Sequence, residues 1–177
     1  ESSRVEQPDA DRDVVVATLA RDDYIAQCHE VLQEIMAILG MKPRSRTIKQ
    51  LHLLKDFMAT TDVFADLSHS NMLQRNLARF LGVIHLEPKQ QLYEEFSKAD
   101  AVYIVIRGRI QLCSTDVPEP KPDDLSHVRT AGQTLGAEAT QKKPSHYLYT
   151  AVADGPTIVA VVYRDDYRRI CATDDMQ

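Results

Sequence analysis

Histidine is the side chain most often used for acid–base catalysis near neutral pH, and the chain contains six. They are scattered, at positions 29, 52, 69, 85, 127 and 146. The sequence contains no H-E-x-x-H zinc motif, no G-x-S-x-G nucleophile elbow and no G-x-x-x-x-G-K-[ST] phosphate loop. The three cysteines, Cys28, Cys113 and Cys171, lack the C-x2-C spacing of a metal site. We therefore expect no enzyme, no metal site and no resident cofactor, unless residues distant in sequence assemble a site.

A second group with binding chemistry is a basic cluster formed by Lys42, Arg44, Arg46 and Lys49. Such a cluster could hold a phosphate or an acidic partner, but we interpret it as a solvated linker, because Lys and Arg are mostly exposed. The net charge of -5 is uneven, since residues 1–40 hold nine acids and three bases. An acidic leading segment argues against nucleic acid as a partner.

Composition places the chain among ordinary globular proteins. Its 177 residues, with 44% hydrophobic and 27% charged residues, predict one domain with an appended helical segment. No stretch reaches the roughly 18 consecutive apolar residues of a membrane span, and no signal peptide is visible. We therefore expect no membrane span and an intracellular, cytoplasmic location. Because the sequence begins at Glu1 rather than Met, we expect a fragment of a longer protein.

Three helices are predicted in the first half of the chain, at residues 11–39, 46–59 and 70–80. In the first, an apolar seam runs along one face at helical spacing, through Ile25, Cys28, Leu32, Ile35 and Leu39. The seam is too short for a coiled coil, so we expect helix 11–39 to dock a protein partner or another domain of the parent chain. The second helix has Thr47 or Ser45 as its candidate cap, and its apolar positions are Ile48, Leu51, Leu54 and Met58.

From Val83 the hydrophobic period changes from about 3.6 to 2. The predicted strands are 83–87, 91–95, 101–106, 109–114, 126–130, 147–153 and 157–163. Residues 115–125 hold three prolines and predict an exposed loop. The pattern predicts an α+β fold: an antiparallel β-roll or jelly-roll barrel of about seven to eight short strands, with N-terminal helices and a C-terminal helix. We expect an acidic helical segment and linker at 1–45 and one domain at 46–177, made of helices 46–80, a β-roll 83–163 and a helix 164–173.

The stretch LEPKQQLYEEFSKADAVYIVIRGRIQL, residues 86–112, resembles the central hairpins of the cyclic-nucleotide-binding domain family, the β-roll that senses cAMP or cGMP. The matching positions are Glu95, Ala99, Asp100, Tyr103, Ile104, Val105 and Gly108. Residues 42–68 resemble the family's leading helix, residues 131–153 occupy the place of its phosphate-binding cassette, and residues 157–170 resemble its last strand and following helix. The stretch KPRSRT, residues 42–47, and the helix after it are somewhat closer to eukaryotic than to bacterial members, so the resemblance implies a divergent eukaryotic member.

Two departures from the family pattern fall in the hairpin. Lys89 and Phe96 stand where the family has glycines. Glycine suits such turns because it reaches positive φ without strain. We therefore expect altered turns within the same fold.

The cassette departs further. The resemblance implies candidate ligand-binding positions Gly136, Ala137, Glu138, Pro144, Ser145 and His146. In the family, the amides of a short helix and an Arg hold the cyclic phosphate, and a Glu holds the ribose hydroxyl. Here the Glu is replaced by Ala137, with Glu138 one place later, and the Arg by Ser145. Truncating one side of a buried charge pair costs about 2–5 kcal/mol, and bulky Tyr147 and Leu148 could fill the volume that a nucleotide needs.

Two functions remain open at this point. The first is a non-enzymatic regulatory or scaffolding module with a degenerate cassette and no high-affinity cAMP or cGMP binding. The alternative is a ligand sensor that binds a cyclic nucleotide weakly, or a different nucleoside or small anion, with Lys142, Lys143 or His146 supplying positive charge. Either cyclic nucleotide would be a ligand only if the divergent pocket still binds it.

Overall fold

The computed structural model describes residues 29–65, 71–116 and 125–174. The contacts divide the chain into two units, 1–34 and 35–177, and the architecture below is that of the second. Residues 29–39 of the first predicted helix are helical (α1), and residues 11–28 lie outside the described part. Most of the predicted proline-rich loop also lies outside it. The domain boundary after residue 45 stays a prediction.

Three helices follow α1, namely α2 (Ile48–Ala59), α3 (Asp62–Ala65) and α4 (Asn71–Phe80). A capping box starts α2, because the Thr47 hydroxyl accepts from the Gln50 amide and the Gln50 side chain accepts from the Thr47 amide. The helix buries Leu51, Leu54 and Met58, as predicted. Ile48 was placed on the same face, and this was wrong: it lies in the first turn, ahead of the buried stripe, and is 70% exposed.

Arg46 corrects the interpretation of the basic cluster as a solvated linker. Its side chain is only 8% exposed, and its guanidinium donates to main-chain carbonyls where α1 and α4 end. The acceptors are Leu39 at 3.2 Å, Met41 at 3.4 Å, Ala78 at 3.2 Å, Arg79 at 3.3 Å and Leu81 at 2.8 Å. Because the last carbonyls of a helix have no partner within the helix, they can hold a buried cation. Lys42, Arg44 and Lys49 are exposed, as expected.

Eight strands are present in the described residues. They are β1 (Gly82–Leu86), β2 (Gln91–Tyr93), β3 (Ala101–Arg107), β4 (Arg109–Cys113), β5 (Val128–Thr130), β6 (Thr134–Leu135), β7 (Thr150–Ala153) and β8 (Thr157–Tyr163). They form two four-stranded sheets with the orders β1-β8-β3-β6 and β2-β7-β4-β5, and every pairing is antiparallel. The predicted α+β roll is confirmed. Only β6 was missed, because two residues are too few to show a period.

The turns at Lys89 and Phe96 contradict the expectation that replacing glycine would alter them. Both residues keep the left-handed backbone, with φ of 66° and 61°. Main-chain hydrogen bonds hold them there, from Lys89 N to Ala153 O at 2.8 Å and from Phe96 N to Tyr147 O at 2.9 Å. The left-handed conformation costs an ordinary residue about 1–2 kcal/mol, so the roll carries local strain at these two turns.

The last helix, α5 (Arg164–Asp174), begins directly after β8, as predicted. It packs against the helical layer through an edge-to-face contact between Tyr167 and Phe64. The Arg169 guanidinium lies 4.8 Å from the centre of the Phe80 ring. Among the described residues, no helix is both long and apolar enough to cross a bilayer.

Candidate functional site

The cassette, residues 136–148, begins at a glycine that its surroundings require. Gly136 has φ of +72° and is buried, and a Cβ at this position would lie 2.6 Å from the Ala101 carbonyl oxygen and 3.0 Å from Cε1 of Tyr147. The short helix implied by the resemblance follows it, as a 3-10 helix over Ala137–Thr140. The cassette backbone is therefore pressed against β3 and against its own Tyr147.

Arg164 fixes the end of this short helix, a role that no sequence pattern indicated. It is the first residue of α5 and is 4% exposed. Its guanidinium donates to the carbonyl oxygens of Ala139 at 2.7 Å, Gln141 at 2.7 Å and Lys143 at 2.8 Å. These charge-assisted hydrogen bonds join the cassette to α5. This guanidinium is engaged by the cassette's own backbone.

The second half of the cassette runs beside residues 97–99. The Ser145 carbonyl accepts from Ala99 N at 2.9 Å, and Tyr147 N donates to Ser97 O at 3.0 Å. Ser145, which replaces the family's Arg, is partly buried and brings no charge. Pro144, His146 and Ala137 are exposed. The alternative cations Lys142 and Lys143 are exposed as well.

Tyr147 fills the interior beside the cassette. Its side chain is 2% exposed and is the largest of the fully buried ones in the described residues. Its hydroxyl accepts from Ala101 N at 3.1 Å and faces two acceptors for its own proton, Asp100 Oδ1 at 3.0 Å and Ala101 O at 3.0 Å. The sequence predicted that Tyr147 and Leu148 fill the interior beside the cassette. For Leu148 this was wrong, because that side chain is 60% exposed.

Three tyrosines form one aromatic stack between the two sheets. Tyr93 of β2 lies between the other two rings, with ring centres 3.9 Å from Tyr147 and 5.7 Å from Tyr103 of β3. Because β2 and β3 belong to different sheets, the stack joins the two halves of the roll. Ring stacking adds to the free energy gained from burying these side chains. Neither Tyr93 nor Tyr103 had been given a role at the site.

Burial raises the pKa of all three phenols, so each stays protonated and neutral at neutral pH. The Glu138 carboxylate raises the pKa of Tyr93 further, and the Arg129 guanidinium lowers it slightly. Glu138 is therefore near the stack, although it stands one position after the place where the family has its Glu. Arg129, on β5, also donates to the carbonyls of Ser126 and Val128 at 3.0 Å each. No sequence pattern indicated a place for Arg129 near the stack.

The six candidate ligand positions thus lie on one continuous loop, but in different settings. Gly136 is buried, Glu138 and Ser145 are partly buried, and Ala137, Pro144 and His146 are exposed. Their role in ligand binding stays a prediction.

The comparisons with known proteins agree with this architecture. The family model described as "Cyclic nucleotide-binding domain" matches residues 83–174. The chain is similar to a cyclic nucleotide-binding-like protein from Brucella abortus, with 26% identity and a TM-score of 0.53 over 67% of this chain and 97% of that one. No match was found among curated proteins.

Two more distant solved structures show the same fold. One is the regulatory domain of Toxoplasma gondii PKA crystallised with cAMP, with 16% identity and a TM-score of 0.57 over 71% of this chain and 46% of that one. The other is the sensor domain of the transcriptional regulator DNR from Pseudomonas aeruginosa, with 17% identity and a TM-score of 0.54 over 71% of this chain and 81% of that one. Similar structures therefore come from bacteria and from a eukaryote, and the eukaryotic affiliation stays a prediction.

Proposed function

This chain belongs to the cyclic nucleotide-binding domain family, and we propose that it is a non-enzymatic regulatory or scaffolding module without high-affinity cAMP or cGMP binding. The observation that carries the proposal is the buried Tyr147 ring, stacked on Tyr93 beside the cassette. A ligand seated against Gly136 would have to share that volume with the ring.

The first part of the argument concerns the phosphate. Ser145 has no charge to offer, and Arg164, the buried cation of α5 that contacts the cassette, is held by three backbone carbonyls. A missing charged partner costs about 2–5 kcal/mol of binding. A loss of about 4 kcal/mol turns a micromolar site into a millimolar one.

The second part concerns the volume. Moving the Tyr147 ring out would break its hydrogen bonds to Ala101 and Asp100 and its stacking on Tyr93. Removing a buried aromatic side chain costs about 3–5 kcal/mol. Much of this cost would reduce the binding free energy of the nucleotide, because the Tyr147 ring would have to leave a position where it is buried, stacked and hydrogen-bonded.

Calorimetric titration of the chain with cAMP and with cGMP tests the proposal. We expect no saturable heat at micromolar ligand. Micromolar or tighter binding of either nucleotide would show that the cassette works without its Arg, and the proposal would be abandoned.

A ligand sensor with a remodelled pocket is the second candidate. It is supported by Arg129, which is near enough to Tyr93 to lower the pKa of that phenol and could attract an anion to the edge of the stack. A thermal-shift screen of cyclic nucleotides, nucleosides and small anions tests it, because a ligand at about 100 times its dissociation constant adds about 2.7 kcal/mol of stability. Stabilisation that disappears in Arg129→Ala would favour this candidate over the first.

As part of the proposal, the module acts by docking. The segment 11–39 would contact a protein partner or another domain of the parent chain, and residues 46–177 would form the folded domain. Nucleic acid is not a partner in this account. The intracellular location stays a prediction.

A further inference from the structure

Two segments of the helical layer that precedes the roll carry bases without acids, and the acids of α2 and α3, Asp56 and Asp62, lie outside them. The sequence contains no Asp or Glu in residues 35–55 or in residues 71–86. Five of the bases in these segments are exposed, and we call them the basic face: Lys42, Arg44, Lys49, Arg75 and Arg79. None of the five forms an ion pair within the described part of the chain.

Arg46 joins the two segments that carry the basic face. Its guanidinium contacts the carbonyls of Met41 and Arg79, so the residues after α1 and the last turn of α4 meet at one point. Because α2 begins at Ile48, Lys49 lies close by along the chain. Arg75 is one turn before Arg79 on α4, and residues four apart share a helix face.

Arg46 also adds a buried positive charge to this region. Its five partners are all carbonyl oxygens, and its Nε has no partner among the residues that the structure describes. Buried charges are normally paired with an opposite charge. Within the described residues no carboxylate bonds to this guanidinium, and burial lowers its pKa. Within the described residues, carbonyl oxygens alone therefore hold this buried charge, and none of the five exposed bases has a carboxylate partner.

The occupant that fits is a short acidic peptide with at least one apolar side chain. Ile48 is exposed next to Lys49 and offers an apolar contact. The net charge of -5 opposes the approach of a long polyanion, whereas a short segment within a Debye length of about 8–10 Å experiences mainly the local charges. Stacking of nucleic acid bases needs exposed rings, and the only Phe, Tyr or Trp in residues 35–55 and 71–86 is Phe80, which Arg169 covers.

We infer that the basic face is a docking surface for a short acidic segment of a partner protein, with Ile48 as its apolar contact. This inference rests on the docking role proposed above and names the chemistry of the partner. It does not depend on whether the roll binds a nucleotide.

Fluorescence anisotropy on the whole chain tests the inference, with a fluorescein-labelled peptide of Glu and Leu residues as the probe. The control peptide has Gln in place of each Glu. The test variant combines Lys42→Glu, Arg44→Glu and Lys49→Glu. Its matched control combines Lys89→Glu, Lys98→Glu and Arg107→Glu, which changes the net charge equally at exposed positions elsewhere.

We expect saturable binding of the acidic peptide, weakened at least about tenfold in the basic-face variant and less than about threefold in the control variant. Binding should also weaken as salt is raised. Far-UV circular dichroism checks that both variants are folded. The single variant Lys49→Gln is a milder second test, in which we expect the affinity for the acidic peptide to fall about twofold or more.

Three results would overturn the inference: no saturable binding of the acidic peptide, equal losses in the two charge-reversed variants, or tighter basic-face-dependent binding of duplex DNA or phosphatidylserine vesicles. Calorimetry with cAMP on the same samples reports separately on the roll. Peptide binding together with micromolar cAMP binding would contradict the proposal that the roll lacks high-affinity nucleotide binding, and it would leave the docking surface intact.

Discussion

The Tyr147 hydroxyl offers the sharpest mutational test of the filled interior. In Tyr147→Phe the ring and its stacking on Tyr93 remain, but the buried Ala101 N–H loses its hydroxyl acceptor and Asp100 loses a donor. Leaving a buried backbone group without this partner costs about 1–3 kcal/mol. In a domain of this size a loss of about 2 kcal/mol lowers the melting temperature by about 4–8 °C.

The assay is urea unfolding followed by circular dichroism, with Tyr163→Phe as the matched control. Tyr163 is on the surface at the end of β8, and burial of its ring is partial, so we expect a change below about 0.5 kcal/mol there. If Tyr147→Phe is as stable as the parent, or if Tyr163→Phe is equally harmful, the hydroxyl does not lock the cassette onto β3 as described.

Three further predictions follow from the strained turns, the cassette clamp and the buried phenols. Lys89→Gly and Phe96→Gly should each stabilise the fold by about 1 kcal/mol, because glycine adopts the positive φ without strain. Urea unfolding measures this, and lower stability in both variants would contradict the presence of strain at these turns. Arg164→Lys should destabilise the fold by about 2 kcal/mol and speed amide hydrogen exchange in the cassette, since a point charge cannot hold three carbonyls. Its control is Arg168→Lys at an exposed position, and exchange rates in Arg164→Lys equal to those of the parent would contradict this role of Arg164. Because burial raises the pKa of Tyr147 above the unfolded value near 10, unfolded chains release its proton first, and stability should fall by about 1.4 kcal/mol per pH unit for each buried phenol above pH 10. Thermal melts at rising pH measure this, and the fall should be smaller in Tyr147→Phe. A flat profile in the parent chain, or an equally steep fall in Tyr147→Phe, would contradict the prediction.

The roll could be predicted because its strands are regular and its blocks resemble a known family. The alternation from Val83 onward located seven strands, and the resemblance located the cassette. Tyr147 was named as a filler because a bulky residue stands where small ones are expected. The two-residue strand β6 gave no periodic signal.

The two buried arginines could not be predicted from the sequence. Arg46 and Arg164 both bond to backbone carbonyls that are distant along the chain, and every residue type carries a carbonyl. No side-chain pattern in the sequence therefore predicts which carbonyl such an arginine will contact. The resemblance marked positions 89 and 96 as glycine turns, but it could not show that Lys89 and Phe96 retain the positive φ. The hydrogen bonds that hold them there join residues distant in sequence.

The interior of the roll also depended on distant pairing. Tyr93 and Tyr103 are on strands of different sheets, and only the closure of the roll stacks them with Tyr147. From the sequence each of them could be interpreted only as a strand residue.

The central claim is that the cassette's own aromatic ring, and not a nucleotide, occupies the space beside Gly136. The most direct measurement is nuclear magnetic resonance of the 15N-labelled chain titrated with cAMP, following the amides of Gly136, Ala139 and Ser145. We expect that these resonances do not move in a saturable way at micromolar cAMP. Saturable shifts confined to the cassette, accompanied by a change in the Tyr147 ring signals, would contradict it.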